Sequence, residues 1–333
     1  MDNWSRESFN EYIESEIAKD KACLGWSRDQ IRTILQSEYG INFKMTTNSK
    51  GKVRDVYKGM IDNESRCIII TTDRVSAFDY SVGSIPMKGF LLHQISQWWF
   101  TKLMESDIEI QTHFLQSLDS GSLASRAMVC QTATPIMIEF VVRGYLTGSS
   151  PTSIWTHYQQ GSRVFCGQVL PDGMTKHQKL DSVLVTPTTK DEHDVNISGD
   201  EIVTRGILTR SEWEWCHDKS LELFQWGSAI SREKGLILVD TKYEFGRLPD
   251  GTIILIDEIH TPDSSRFWIE ESLTRRLSEG LDPDNLNKEF LRLWIKKNRP
   301  EWLDDNFKDS RKLPNDIMYD TIARYIKFFH LLI

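Results

Sequence analysis

Leu236–Val239 is a run of four apolar residues, and directly after it charge falls on every second position, Asp240, Lys242 and Glu244, in a segment that still reads as a strand. Alternate side chains of an extended chain share a face, so these three charges crowd one side of whatever sheet the strand joins. Pro249-Asp250-Gly251 follows as a turn signal, then Ile253–Ile256 as a second apolar run ending in Asp257. Two such runs around the turn predict an antiparallel hairpin. A turn centred near Pro249 sets Asp257 across from Lys242–Glu244, with directly opposed Cβ atoms about 5 Å apart. Two carboxylates so placed suit one shared cation, although a solvated edge strand with ordinary cross-strand ion pairs shows the same pattern. The apolar runs before both charge sets favour the first reading, because charge at the end of a buried strand requires a partner.

A chain of 333 residues with 39% hydrophobic content supports one large core or two moderate ones, and two lobes are expected. Forty Lys and Arg against 48 Asp and Glu give a formal charge of -8, which excludes bulk attraction to nucleic acid or an anionic membrane and requires any anion site to be local. The five cysteines, Cys23, Cys67, Cys130, Cys166 and Cys216, form no CxxC pair, so neither a zinc site nor a disulfide framework is indicated and a cytoplasmic location is expected. The first twenty residues are polar and acidic, unlike a signal peptide, and no apolar run approaches the roughly 20 residues that span a bilayer.

Helical spacing sets Phe9, Ile13 and Ile17 on one face and Ile31, Leu35 and Tyr39 on another, which predicts a helical N-terminal extension over 1–45. Short β-rich runs from Lys50 onward define a small lobe over 46–133. Within it, 89–106 reads as a helix with Leu91, Ile95, Trp98, Trp99 and Leu103 on a buried stripe. A larger lobe over 134–333 is expected to hold a loop-rich stretch at 160–200, a long helix at 211–235, the charged hairpin, and closing helices from about 283.

Three further constellations carry chemistry. Gly51 opens a strand with Lys52 and Arg54 expected on one face, a hairpin that can cover nucleotide phosphates, as any surface hairpin with Lys and Gly also can; no GxxxxGK[ST] loop exists. Asp73, Ser76 and Asp79 follow the apolar strand CIIIT in an exit loop, where binding groups concentrate and where a simple capped turn would look the same. Arg143 follows another buried-looking strand and leads into Gly148-Ser149-Ser150, while Ser264-Ser265-Arg266 repeats that chemistry; guanidinium, hydroxyls and backbone N–H groups together suit a phosphate monoester. A helix-capping serine pair beside a structural arginine is the alternative. His177 and His217 receive no role.

Taken in order, GKVRDVY, TDRVSAFD, EFVVRGYLTGS, TPTTKDEHD, LVDTKYEFG and IDEIHTPDSSRFW resemble the motifs of the SAICAR synthetase (phosphoribosylaminoimidazole-succinocarboxamide synthase) family from Lys50 to Trp268. The resemblance implies an α+β fold, a kinase-like antiparallel β lobe packed against a larger ATP-grasp-like α/β lobe. It implies a ligase that uses ATP and Mg²⁺ to join L-aspartate to the carboxylate of CAIR in purine biosynthesis. In the family's pattern Lys242 is catalytic, and Asp240 is assigned with it; Glu244 and Asp257 hold magnesium. Gly51, Lys52 and Arg54 serve ATP, and so do Met128, Cys130 and Glu139, with adenine on backbone groups of Met128–Ala133. CAIR is expected at Asp73, Ser76, Asp79, Arg143, Gly148, Ser149, Lys190, Asp194, Ser265 and Arg266. The partners implied are these small molecules, with no nucleic acid or membrane, in a monomer or homodimer. A small-molecule kinase and a non-catalytic nucleotide-binding scaffold are the rival readings, and the extension before Lys50 has no counterpart in the family core.

Overall fold

The computed structural model describes residues 26–190 and 194–333. The face expected from Phe9, Ile13 and Ile17 lies outside the described residues. The chain divides into two compact units, one comprising residues to 98, 113–132 and 290–330, the other 99–112, 133–289 and 331–333.

In the first unit, β1 (Lys44–Lys50), β2 (Arg54–Ile61), β3 (Glu64–Thr71), β6 (Phe114–Ser117) and β7 (Ala127–Gln131) form an antiparallel sheet in the order β1-β2-β3-β7-β6. The hairpin β4 (Arg74–Ala77)–β5 (Tyr80–Ser84) stands apart from it. The helix Arg28–Tyr39 covers one face of the sheet. Ser27 and Gln30 close a capping box at its start, Gly40 ends it at φ 67°, and Ile31 and Leu35 are buried against Tyr57, Ile68 and Ile70. The hairpin packs with the helix Lys88–Met104 through Val75 and Leu91, and a second core gathers Leu291, Ile295, Ile317 and Tyr325 around them. Residues 290–330, which the sequence assigned to the larger lobe, therefore cluster with the smaller one. Trp99 is buried as expected, whereas Trp98 is half-buried.

In the second unit β8 (Thr134–Tyr145) pairs with β11 (Lys179–Val185), β12 (Thr188–Thr189) and β13 (Leu236–Arg247), beyond a small β9 (Val164–Phe165)–β10 (Gln168–Val169) hairpin. The other edge of β13 is shared by β15 (Ser265–Ile269) at its start and β14 (Ile253–Ile256) at its end. A strand paired on both edges explains the apolar run that opens β13. Phe245 meets Phe140 and Trp215 on one face, Trp215 belonging to the long helix Arg210–Glu233. The opposite face receives Asp240, Lys242 and Glu244. The expected hairpin forms with Glu244 opposite Ile256, which sets Asp257 one residue beyond β14 at φ 67°.

Candidate active site

The alternation on β13 builds two adjoining charged centres in the second unit. At the first, the Lys242 ammonium donates to Glu139 Oε1 at 2.9 Å and to Glu244 Oε1 at 2.6 Å, and Asp257 Oδ2 lies 3.7 Å away. Lys190 donates to the other oxygen of Glu244. Glu244 and Glu139 are direct cross-strand partners, a repulsive placement that the two lysines resolve. Burial alone would push the Lys242 pKa down, but Glu244, Glu139 and Asp257 outweigh it and hold it well above the usual lysine range. Burial likewise works against the Glu244 carboxylate, and Lys242 and Lys190 hold its pKa far below the ordinary value. Lys242 is thus a fixed cation rather than a base.

The second centre lies two residues back. Asp240 faces Arg143 across β8 and Arg266 across β15. Arg266 Nη1 donates to Asp240 Oδ2 at 2.7 Å and its Nη2 to Glu289 at 3.1 Å; Arg143 Nη1 is 3.7 Å from Asp240, and its Nε donates to Thr186 at 2.8 Å. Asp240 and Arg143 are more than nine-tenths buried, and the Arg266 side chain keeps 11% exposure. Desolvation lowers the Arg143 pKa, whereas for Arg266 the carboxylates of Asp240 and Glu289 overcome the same penalty and raise it. Over this pair runs the loop after β8. Gly148 adopts φ 114°, and a Cβ there would fall 2.4 Å from Ser153 and 3.4 Å from Arg266 Nη2, so only glycine allows this approach. Ser149 follows it, and Ser265 Oγ lies 2.7 Å from Thr241 Oγ1. Asp194 is exposed beyond Lys190.

In the first unit the Gly51 N–H donates to Arg54 O at 2.7 Å, which closes a tight turn. Lys52 sits in the bend before β2 rather than on the strand face with Arg54, because β2 begins only at Arg54; its ammonium bonds Asp79 at 2.5 Å, both side chains being more than half exposed. Asp79 and Phe78 form the two-residue β4–β5 turn at φ 68° and 52°, the turn that glycine or asparagine normally fills. Ser76 is buried on β4. Two groups of expected site residues are engaged within the fold. Asp73 is fully buried and its carboxylate accepts from Arg126 at 2.7 Å and 3.2 Å and from the Gly89 N–H at 2.7 Å, so it braces a helix start. Met128 and Cys130 lie in β7, whose backbone is paired to β3 on one edge and, with one irregularity, to β6 on the other. Past the end of β7 the Thr132 N–H still donates to Ser65 O of β3 at 3.4 Å.

Glu139 joins the Lys242 centre, where strand register puts it. Thr186 and Glu289, the partners of the two arginines, escaped the sequence reading. Thr186 sits four residues before Lys190 on an alternating stretch that offered a weak signal; Glu289 offered none.

Residues 47–307 match the family described as SAICAR synthetase. The chain is 45% identical over 275 residues to the chloroplastic phosphoribosylaminoimidazole-succinocarboxamide synthase of Vigna aconitifolia, covering 82% of this chain and 76% of that protein. It is 42% identical over 285 residues to the enzyme of that name from Legionella pneumophila strain Paris, covering 85% and 86%. The structure of SAICAR synthase from Saccharomyces cerevisiae complexed with SAICAR superposes with a TM-score of 0.69 at 29% identity, over 87% of this chain and 94% of that one. With the motif order, the β13 charge centres and the fold in agreement over most of its length, the chain belongs to the SAICAR synthetase family.

Proposed function

We propose that the chain is an ATP-dependent carbon–nitrogen ligase that joins the amine of L-aspartate to the CAIR carboxylate, giving SAICAR, ADP and phosphate. One observation carries the reading: a single sheet face presents Arg143 of β8 and Arg266 of β15 around Asp240, and two residues along β13 a lysine locked among three carboxylates. The first suits a phosphate monoester and the second a phosphoryl group in transfer. Membership of the family and the similar structure complexed with SAICAR support it.

A carboxylate oxygen is a poor leaving group at neutral pH, so the path runs through an acyl phosphate. The CAIR carboxylate oxygen bonds the γ-phosphorus as the bond to ADP breaks; the aspartate amine then bonds the acyl carbon, inorganic phosphate leaves and the amine releases a proton. Arg143 and Arg266, with the Gly148–Ser149 loop, hold the 5′-phosphate. Lys242, held as a cation by the carboxylates around it, stabilises charge on the transferring group. Gly51, Lys52, Arg54 and the backbone after β7 are assigned to ATP. Glu244 and Asp257 fit Mg²⁺: both offer hard oxygen donors, and magnesium typically takes one or two carboxylates with phosphates and water. The ion would supply charge neutralisation at the phosphoryl group.

The test is ADP release from CAIR and ATP, with and without L-aspartate. Stoichiometric SAICAR and ADP that depend on aspartate support the ligase. ADP formed at an undiminished rate without aspartate, and a phosphorylated product that accumulates, would establish a kinase instead.

A further inference from the structure

We propose that His177 is a positioning residue for CAIR, tying the loop that carries Gly148 and Ser149 to the segment behind Arg266. This rests on the phosphate-cradle reading above. His177 belongs to none of the motifs that mark the family and had no role in the sequence. Its ring is held at both nitrogens. Nε2 lies 2.8 Å from Asp282 Oδ1, and a carboxylate only accepts, so Nε2 carries the proton. Nδ1 is then the acceptor, and the Thr147 hydroxyl donates to it at 2.9 Å. Thr147 immediately precedes Gly148.

The surroundings fix the ring in place. The His177 N–H donates to Leu146 O at 2.7 Å and the Leu146 N–H to Gln178 O at 2.8 Å, so the two segments are also joined through the backbone. The ring stands edge-on to Trp268 at 5.3 Å and 83°, two residues past Arg266 on β15, and Trp268 meets Tyr145, two residues past Arg143 on β8, at 4.9 Å. Lys176 also bonds Asp282 Oδ1 at 2.8 Å, which keeps that carboxylate ionised as an acceptor. His177 itself takes φ 68°, a left-handed backbone uncommon outside glycine. The backbone holds the start of this loop through Leu146 and through the Trp155 N–H to Thr147 O at 3.4 Å. The imidazole, clamped between Asp282 and Thr147 and braced on Trp268, adds the side-chain tie directly before Gly148.

The test compares KM for CAIR and for ATP in two variants. His177→Phe keeps a ring against Trp268 and deletes both hydrogen bonds; the side-chain oxygen of His177→Asn accepts from Thr147 in the place of Nδ1. Loss of the Thr147 hydrogen bond, the one that reaches the loop, predicts a CAIR KM raised about tenfold in His177→Phe, with most of it restored in His177→Asn and with ATP KM and kcat within about twofold of the parent. Thr147→Val, isosteric but without the donor, repeats the measurement should the Phe variant fail to fold. A parallel rise in both KM values would reduce His177 to a general packing role. An unchanged CAIR KM in His177→Phe and Thr147→Val, alongside a raised one in Arg143→Lys, would refute the tie and spare the cradle. An unchanged CAIR KM in Arg143→Lys would remove the cradle and the tie with it.

Discussion

Replacing Lys242 by methionine keeps length and volume but deletes the one charge that Glu139, Glu244 and Asp257 share. The three contacts, at 2.9, 2.6 and 3.7 Å, are each worth about 4–6 kcal/mol of gross Coulomb energy at an effective dielectric constant near 20, most of which offsets the desolvation of the ammonium. Breaking a buried pair by removing one partner typically costs ~3–5 kcal/mol. Lys190 still compensates Glu244, and the Glu139 and Asp257 side chains retain 15% and 24% exposure, so the low end, about 3 kcal/mol, is expected here. The loss has a definite pH signature. Without the cation the crowded carboxylates have folded-state pKa values above their unfolded ones, so they contribute stability at low pH that is lost as pH rises through the folded values. Urea unfolding at pH 5 and pH 8 therefore should show a larger deficit at pH 8, together with loss of ligase turnover. A variant within 1 kcal/mol of the parent at pH 8, or one with a deficit independent of pH, would refute the account of Lys242 as the counter-ion of this centre.

Glu244→Gln and Asp257→Asn are expected to lower turnover by orders of magnitude and to recover part of it at raised Mg²⁺, checked by titrating the metal; insensitivity to Mg²⁺ would reassign both carboxylates to Lys242 alone. Gly227→Ala places a Cβ 2.2 Å from His260 Cε1, in a ring that is fully buried and wedged 4.6 Å from Trp99, so a loss of ~3 kcal/mol or more in chemical denaturation follows from overpacking. Burial pushes the pKa of His260 down to about 3 and that of His93 down to about 4. Below about pH 6.5 the unfolded chain binds protons that the folded one refuses, so each histidine removes about 1.4 kcal/mol per pH unit until its own folded pKa is reached. Denaturation curves with equal stability at pH 7 and pH 5 would contradict this.

The charged face of β13 was legible because a strand's side-chain period is two, and apolar runs before the Asp, Lys and Glu alternation favoured a buried strand over a solvated edge. Asp257 was legible through the Pro-Asp-Gly turn, which sets the register. Other features depend on contacts that the local pattern does not encode. Nothing in the period of residues 290–330 says which sheet or hairpin their apolar face will cover, and it covers β4–β5. Asp73 leaves a strand as binding residues often do, yet it turns under the start of the helix Lys88–Met104, where Gly89 and Arg126 take its oxygens. Lys52 and Arg54 are two apart and would share a face in a strand, but the turn at Gly51 delays that strand to Arg54.

Strand β13 also acts as a ruler. Asp240, beside the arginine pair, and Lys242 are two residues apart, about 7 Å along an extended chain at ~3.3 Å per residue. Loops can change such a span, but β13 is held by β8 on one edge and by β15 and β14 on the other, so the separation is as stiff as the sheet itself. Under the proposed assignment, discrimination between carboxylates is then partly a matter of length: a molecule anchored by its phosphate over the arginine pair either reaches the lysine with its carboxyl group or falls short of it.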